Sequence, residues 1–347
     1  MIHLNKNRRI NFYAIRDQAS ANPAYQKGMQ LIKEGDWEYG FYLHELRSLP
    51  NLRLPQGVKT QFDKTPVWIP GMDCRGKNAI VWSEAGWGDI IQFSRFIPLL
   101  RQAGLKEIKL LFPDQILRLL KRLPNHDGFY RQGDSFPNAV RIKVMSLPYF
   151  LMEHNVIPAV PVEKIYGSEG IYRNPSIDKP KREKPLIGYC YTTTNNSWNM
   201  DAKQMPHEIM LRFIREHTEF DWVSLQQNEG FIKSIYWDDT ANQIQELDGV
   251  ISVDSAIAHC AGSVGVPVVN LIGKESRACW RWYPKGDKTY WYDSMYTAWF
   301  DTWEAGLNKG LEHLRKELGC ATHIGRDKGK TKTNTRRRST RTVATDK

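Results

Sequence analysis

Cysteine is sparse in this chain of 347 residues, and its five copies, Cys74, Cys190, Cys260, Cys279 and Cys320, form no C-x-x-C pair. That spacing argues against a disulfide framework and against a zinc site, and it suits a reducing compartment. No apolar run approaches the roughly 20 residues that cross a bilayer. The opening "MIHLNKNRRINFYAI" has basic residues without the apolar centre of a signal peptide. A soluble, unexported, cytoplasmic protein is expected. No carboxylate pair stands out as a cation clamp, so neither metal nor cofactor is expected. The loop "EAGWGDIIQFSR" offers G-x-G but lacks the third glycine of a dinucleotide fingerprint. Dehydrogenase chemistry is therefore disfavoured.

What is present in excess is positive charge, and it is unevenly placed. Formal net charge is +11, and the stretch 321–347 carries nine Lys or Arg against two Asp. Having almost no large apolar residues, this tail cannot bury a core and is expected to be disordered. It is either a solubilising tail or an electrostatic attachment to nucleic acid or another polyanion. It has no interleaved aromatic residues, which argues against base stacking by the tail itself.

The remainder divides by composition and periodicity. Residues 1–65 read as a helical prelude around "NPAYQKGMQLIKEGDWEYGFYLHELRSLP". Residues 66–171 alternate strand and helix: "NAIVWSE", the helix "IIQFSRFIPLLRQAG" stopped by Gly104, "EIKLLF", "PDQILRLLKRL", "GFYR" and "AVRIKV". A Pro- and charge-rich stretch at 172–185 reads as a linker. The alternation restarts over 186–320 with "LIGYCY", a helix near "MPHEIMLRFIREH", "DWVSLQ" and a short helix near "TANQIQEL". The fold class expected is α/β, with two Rossmann-like domains in series and ligands at the carboxyl ends of the strands, in the cleft between the halves.

The stretch "GVISVDSAIAHCAGSVGVPVVNLIG" carries the strongest local signal. Two β-branched runs flank a small-residue segment with helical spacing, which predicts strand, helix and strand. Asp254 and Ser255 supply N-cap chemistry, and Gly265 followed by Pro267 supplies a stop. A helix N-terminus at the carboxyl end of a strand attracts phosphate, and Ser255, His259 and Gly262 share one face of that helix. The alternative is a capped helix packed on a sheet with a satisfied histidine. Asp89 has a similar pair of readings, a cleft carboxylate or an N-cap.

Together these motifs resemble the tetratricopeptide-associated glycosyltransferases and the lipopolysaccharide heptosyltransferases, which share the two-domain GT-B fold. The resemblance runs from about Gly28 to Leu318. It is carried by "GDWEYGFYLHELR", "RGKNAIVWSEAGWGDIIQFSRFIPLL", "DWVSLQ", "LDGVISVDSAIAHCAGSVGVPVVNLI" and "WRWYPKGDKTYWY". It implies an inverting, metal-independent transfer from a nucleotide diphosphate sugar, with Asp89 as the base that takes the acceptor proton. The donor side would comprise Thr193, Asn195, Lys203, Gln226, Asp254, Ser255, Ala256 and His259. The acceptor-side loop would comprise Glu84, Gly86, Gly88 and Gln92.

Two departures bear on donor recognition. Lys203 and Gln204 stand where the family often has Arg and Ser, and Cys279 stands where an aspartate commonly precedes the "WRW". A lone repeat motif before Thr65 cannot bury its own face and is expected to pack on the N-terminal domain. Candidate acceptors are a hydroxymethylated DNA base, suggested by the basic tail, or a glycan or lipopolysaccharide. A GT-B epimerase, or a non-catalytic protein binding a nucleotide sugar or nucleic acid, would keep the same cradle.

Overall fold

A computed structural model describes Ile10, Phe12 and residues 18–47, 64–131, 133–158, 170–193, 203–227, 229–273, 278–283 and 285–320. The tail at 321–347 and Asn195 lie outside these residues. Two parallel sheets form the frame. The first has the order β2 (Ile108–Leu111), β1 (Asn78–Trp82), β3 (Ala139–Lys143). The second has the order β5 (Asp221–Ser224), β4 (Leu186–Cys190), β6 (Gly249–Val253), β7 (Val268–Ile272), β8 (Met295–Trp299). Every residue of β3, β6 and β7 is buried, as expected for parallel strands covered on both faces.

The helices follow from capping and breaking chemistry. α1 (Gln18–Lys33) and α2 (Trp37–His44) make the prelude, and the Asp36 side chain caps α2 by accepting from the Tyr39 N–H. In the first domain come α3 (Trp87–Phe93), α4 (Asp114–Leu120) and α5 (Leu147–Glu153). The second domain adds α6 (His207–Glu216), α7 (Trp237–Gln245), α8 (Ala256–Val264) and α9 (Trp303–Glu317). α3 tightens into a 3₁₀ segment over Ser94–Ala103, which contains Pro98 and ends at left-handed Gly104. A proline there removes a donor that a continuous α-helix would need. The "GFYR" segment is not a strand: Phe129 makes only an isolated bridge to Leu110. β8 and α9 close the second sheet beyond the elements that periodicity identified. Among the described residues no helix is long and apolar enough to cross a membrane.

The two domains are fastened together around buried polar groups. Fully buried Arg95 donates to the Gln92 and Trp291 carbonyls and lies 4.6 Å from the Tyr292 ring centroid. Arg122 reaches from the first domain to the Tyr172 carbonyl at 2.6 Å and the Asn242 side chain at 2.8 Å. Tyr172, expected in a linker, is completely buried and hydrogen-bonds Ser94. Nor does the prelude pack on the N-terminal domain alone. Trp37 stacks on Trp291 at 5.7 Å and Phe41 meets Trp280 edge-on at 5.6 Å, while Tyr42 contacts Tyr149 of α5. Aromatic faces on two domains offered α2 more apolar area than either one could.

His259 sits inside this layer, stacked on Trp282 at 5.3 Å and hydrogen-bonded through Nδ1 to the Tyr292 hydroxyl at 2.8 Å. Burial pushes its imidazole down to about 4, against the opposing pull of the Asp254 carboxylate. In the unfolded chain it would titrate near 6.5. Between those values the unfolded state binds a proton that the folded state does not, so stability is lost as pH falls from about 6.5 towards 4. The loss from this one group is on the order of 3 kcal/mol. Denaturant titrations at several pH values should show that decline in the native chain and a flatter profile in His259→Gln. An equal slope in both would place the sensitivity elsewhere.

Candidate functional site

The carboxyl ends of β1 and β6 each feed a helix whose N-terminus opens on the same cleft, of about 730 Å³. That size suits a nucleotide-sized ligand. On one wall are Gly86, Trp87, Gly88 and Asp89 at the start of α3; on the other are Asp254, Ser255, Ala256 and His259 at the start of α8. The helices approach closely because position 88 has no side chain: a Cβ there would lie 2.7 Å from His259 Cδ2. Glycine is required by this close approach rather than by its dihedral angles.

Asp89 occupies the third position of α3 and not its N-cap, which is Gly86. Its Oδ2 accepts the Gly86 N–H at 3.2 Å, and its Oδ1 accepts from Arg281 Nη2. A carboxylate has about four lone-pair sites, so both oxygens keep capacity for a further donor. Its side chain is 25 % exposed, accessible from the cleft yet held from behind.

The opposite wall carries the charge pair Lys203–Asp254 at 2.9 Å. Burial would raise the Asp254 carboxyl, but Lys203 and His259 hold it below the ordinary carboxylate range. Ser255 is the N-cap of α8, yet its hydroxyl makes no cap bond and instead lies 2.9 Å from Ser252 Oγ. The first turn of α8 is therefore not sealed by that side chain, and an anion can approach its N–H groups. Cys190 Sγ donates to Gln226 Oε1 at 2.8 Å, which orients the amide at the cleft edge.

Of the donor-side residues expected from sequence, Thr193, Lys203, Gln226, Asp254, Ser255, Ala256 and His259 all line the cleft. Gly262 does not, because its open face is filled by Tyr292: a Cβ at 262 would meet Tyr292 Cγ at 2.6 Å. On the acceptor side, Gly86 and Gly88 line the cleft but Glu84 and Gln92 have other tasks. Glu84 pairs with Arg47 at 2.7 Å and ties the prelude to β1; burial raises its carboxyl despite that partner. Gln92, completely buried, accepts from Arg281 Nε at 2.7 Å.

Arg281 is the cleft residue that sequence reading missed. Its only signal was a cation between the two tryptophans of "WRW", in a stretch that entered only through the family resemblance. An apolar rim also escaped notice: Trp87 and Trp237 face one another across the domains at 6.2 Å, beside Ile232 and the 58 %-exposed Ile235. Among the described residues no group of three or more His, Cys, Asp and Glu is placed to hold a metal ion.

No family model matches the chain, and no curated protein matches it. Among solved structures, it is similar to a glycosyl transferase family 9 protein from Veillonella parvula, with 12 % identity and a TM-score of 0.45 over 71 % of this chain and 98 % of that one. It is similar to the E. coli ADP-heptose lipopolysaccharide heptosyltransferase II, with 13 % identity and a TM-score of 0.41 over 70 % and 99 %. The dodecameric iron-containing heptosyltransferase TibC in complex with ADP-D-beta-D-heptose is also similar, with 11 % identity and a TM-score of 0.46 over 71 % and 78 %.

Proposed function

We propose that this chain is a GT-B glycosyltransferase that moves a sugar, with inversion, from a nucleotide diphosphate donor to a glycan hydroxyl. The observation that carries the reading is the opposition, across one cleft, of an accessible carboxylate on α3 and the unsealed N-terminus of α8 with Lys203 beside it. The motif resemblance supports the same assignment.

The chemistry follows from the two walls. The acceptor hydroxyl gives its proton to Asp89 as its oxygen attacks the anomeric carbon from the face opposite the diphosphate. The bond between that carbon and the diphosphate oxygen breaks, and the nucleotide diphosphate leaves with the electron pair. Negative charge then grows where Lys203 and the first N–H groups of α8 lie, so the leaving group is stabilised by fixed dipoles and the lysine's point charge. Lys203 lacks the bidentate geometry of arginine and must be shared between Asp254 and the phosphates.

The acceptor-side residues of the cleft favour a sugar. Among Gly86, Trp87, Gly88, Asp89 and Gln115, the one charged group is a carboxylate, which repels phosphate but accepts readily from hydroxyls. Trp87 offers an apolar face with an N–H at its edge. A second reading, transfer to a hydroxymethylated base in DNA, is favoured by the composition of the tail at 321–347.

Two experiments test these readings. Once a panel of nucleotide sugars has identified the donor, Asp89→Asn should lower turnover by about 10²–10⁴. Nucleotide affinity by isothermal titration should stay nearly unchanged, because the amide preserves shape and loses only the base. Near-normal turnover would remove Asp89 from the mechanism. For the acceptor, the chain truncated after His323 should transfer to a glycan as the full chain does. If DNA is the acceptor instead, truncation should weaken duplex binding and flatten its salt dependence, by roughly 0.9 in log–log slope for each phosphate that the tail no longer neutralises. Transfer to hydroxymethylated but not plain duplex would then displace the glycan reading.

A further inference from the structure

Arg281 reaches from the second domain into the first, and each of its three guanidinium nitrogens donates to a protein group. Nε donates to Gln92 Oε1 at 2.7 Å, Nη1 donates to Cys279 Sγ at 2.9 Å, and Nη2 donates to Asp89 Oδ1. The plane lies 4.7 Å from the Trp280 ring centroid and 5.5 Å from that of Phe93. Its own carbonyl accepts from Trp291 Nε1 at 2.9 Å, which pins the backbone as well. Burial opposes its charge, yet Asp89 and Cys279 more than offset that and keep it protonated. Only 12 % of the side chain is exposed, half the fraction of Asp89.

Two of its partners, Asp89 and Gln92, are three residues apart on α3 and so lie on one face of that helix. A guanidinium that grips both is a register mark. It sets the rotation of α3 and the angle of one carboxylate, and it does so from the domain that carries the diphosphate wall. We infer that Arg281 is the positioning residue for Asp89: it holds Oδ1 so that the remaining lone pairs face the acceptor, and it aims the base only while the two domains are docked. This rests on Asp89 being the base. The competing role is direct contact with the donor diphosphate, since Arg281 also borders the cleft. Three of its five N–H groups already have protein partners, and Lys203 and the α8 N-terminus face the same space.

The two roles separate in kinetics. With the donor identified as above, Arg281→Met should lower kcat about tenfold to a hundredfold, the cost expected of a misplaced catalytic group. KM for the nucleotide sugar and the affinity for the free nucleotide should stay within about twofold. Arg281→Lys keeps the charge but cannot grip three partners at once, so it should fall between Met and Arg. Gln92→Met, which loosens the guanidinium without touching Asp89, should lower kcat several-fold, again with affinity unchanged. The deciding measurement is the double variant. In an Asp89→Asn background Arg281→Met should cost no more than about a further twofold, because a positioning residue has nothing left to position.

A multiplicative loss in the double variant would overturn the inference and give Arg281 an independent role. So would a tenfold or greater loss of nucleotide affinity with kcat retained, which would make it a phosphate ligand. Full turnover in Asp89→Asn alone sinks the base itself, and so is distinguishable from either. Thermal melts of each variant, compared with Arg281→Lys, separate a folding defect from a catalytic one.

Discussion

Everything in this cleft depends on how near α3 can come to α8. Gly88 and His259 are in contact, and a single methyl group at position 88 would drive into the imidazole ring. That contact sets the separation of the two helix N-termini, and with it the distance between the Asp89 carboxylate of one domain and the Lys203–Asp254 wall of the other. His259 can serve as the stop because it is rigid. Trp282 covers one face and Tyr292 anchors Nδ1, and burial keeps the ring neutral, so it brings no charge of its own to the space between the domains. A flexible side chain at 259 would let the walls drift, and reacting groups tolerate little misplacement.

Once the walls are that close, the charges must be arranged to survive burial. Asp254 has Lys203, Asp89 has Arg281, and Arg95 has two carbonyls and an aromatic face. Isolated, each would cost several kcal/mol to desolvate; paired, each specifies one docking geometry rather than adding much stability. Arg281 and Asp89 lie on different domains, so their ion pair exists only in the docked arrangement.

The sequence made the strands and the two strand–turn–helix units legible, because β-branched runs, glycine turns and capping residues act over a few positions. β1 into Asp89 and β6 into α8 could both be placed that way, whereas Lys203 and Gln226 were expected at the cleft only through the family resemblance, and both line it. What it hid was everything settled across the chain. Arg281 finds Asp89 and Gln92 nearly two hundred residues away, and nothing in "WRWYP" says that Asp89 is a partner. Glu84 looked like a cleft carboxylate from its place after β1, but Arg47 claims it, a pairing that depends on where the prelude docks. The glycine at 262 had the right spacing for a ligand and was filled by Tyr292, whose position no local rule fixes. β8 escaped because "MYTAW" follows an aromatic stretch without a clear change of period.

The prelude shows why such cross-chain contacts matter here. α2 places Trp37 and Phe41 on Trp291 and Trp280, the two aromatic residues that also bracket Arg281: the Trp280 ring faces the guanidinium, and Trp291 Nε1 bonds the Arg281 carbonyl. Arg47, just beyond α2, meanwhile grips Glu84 and Ser146 of the first domain. One helical hairpin thus supports the segment that grips Asp89 and the turn after β1 that leads to its helix. The burial of Trp37 and Phe41 in this layer is a hydrophobic term acting on geometry rather than on chemistry. A repeat-like motif that could not bury its own face has a use in this fold: its apolar side is the splint across the two halves of the cleft.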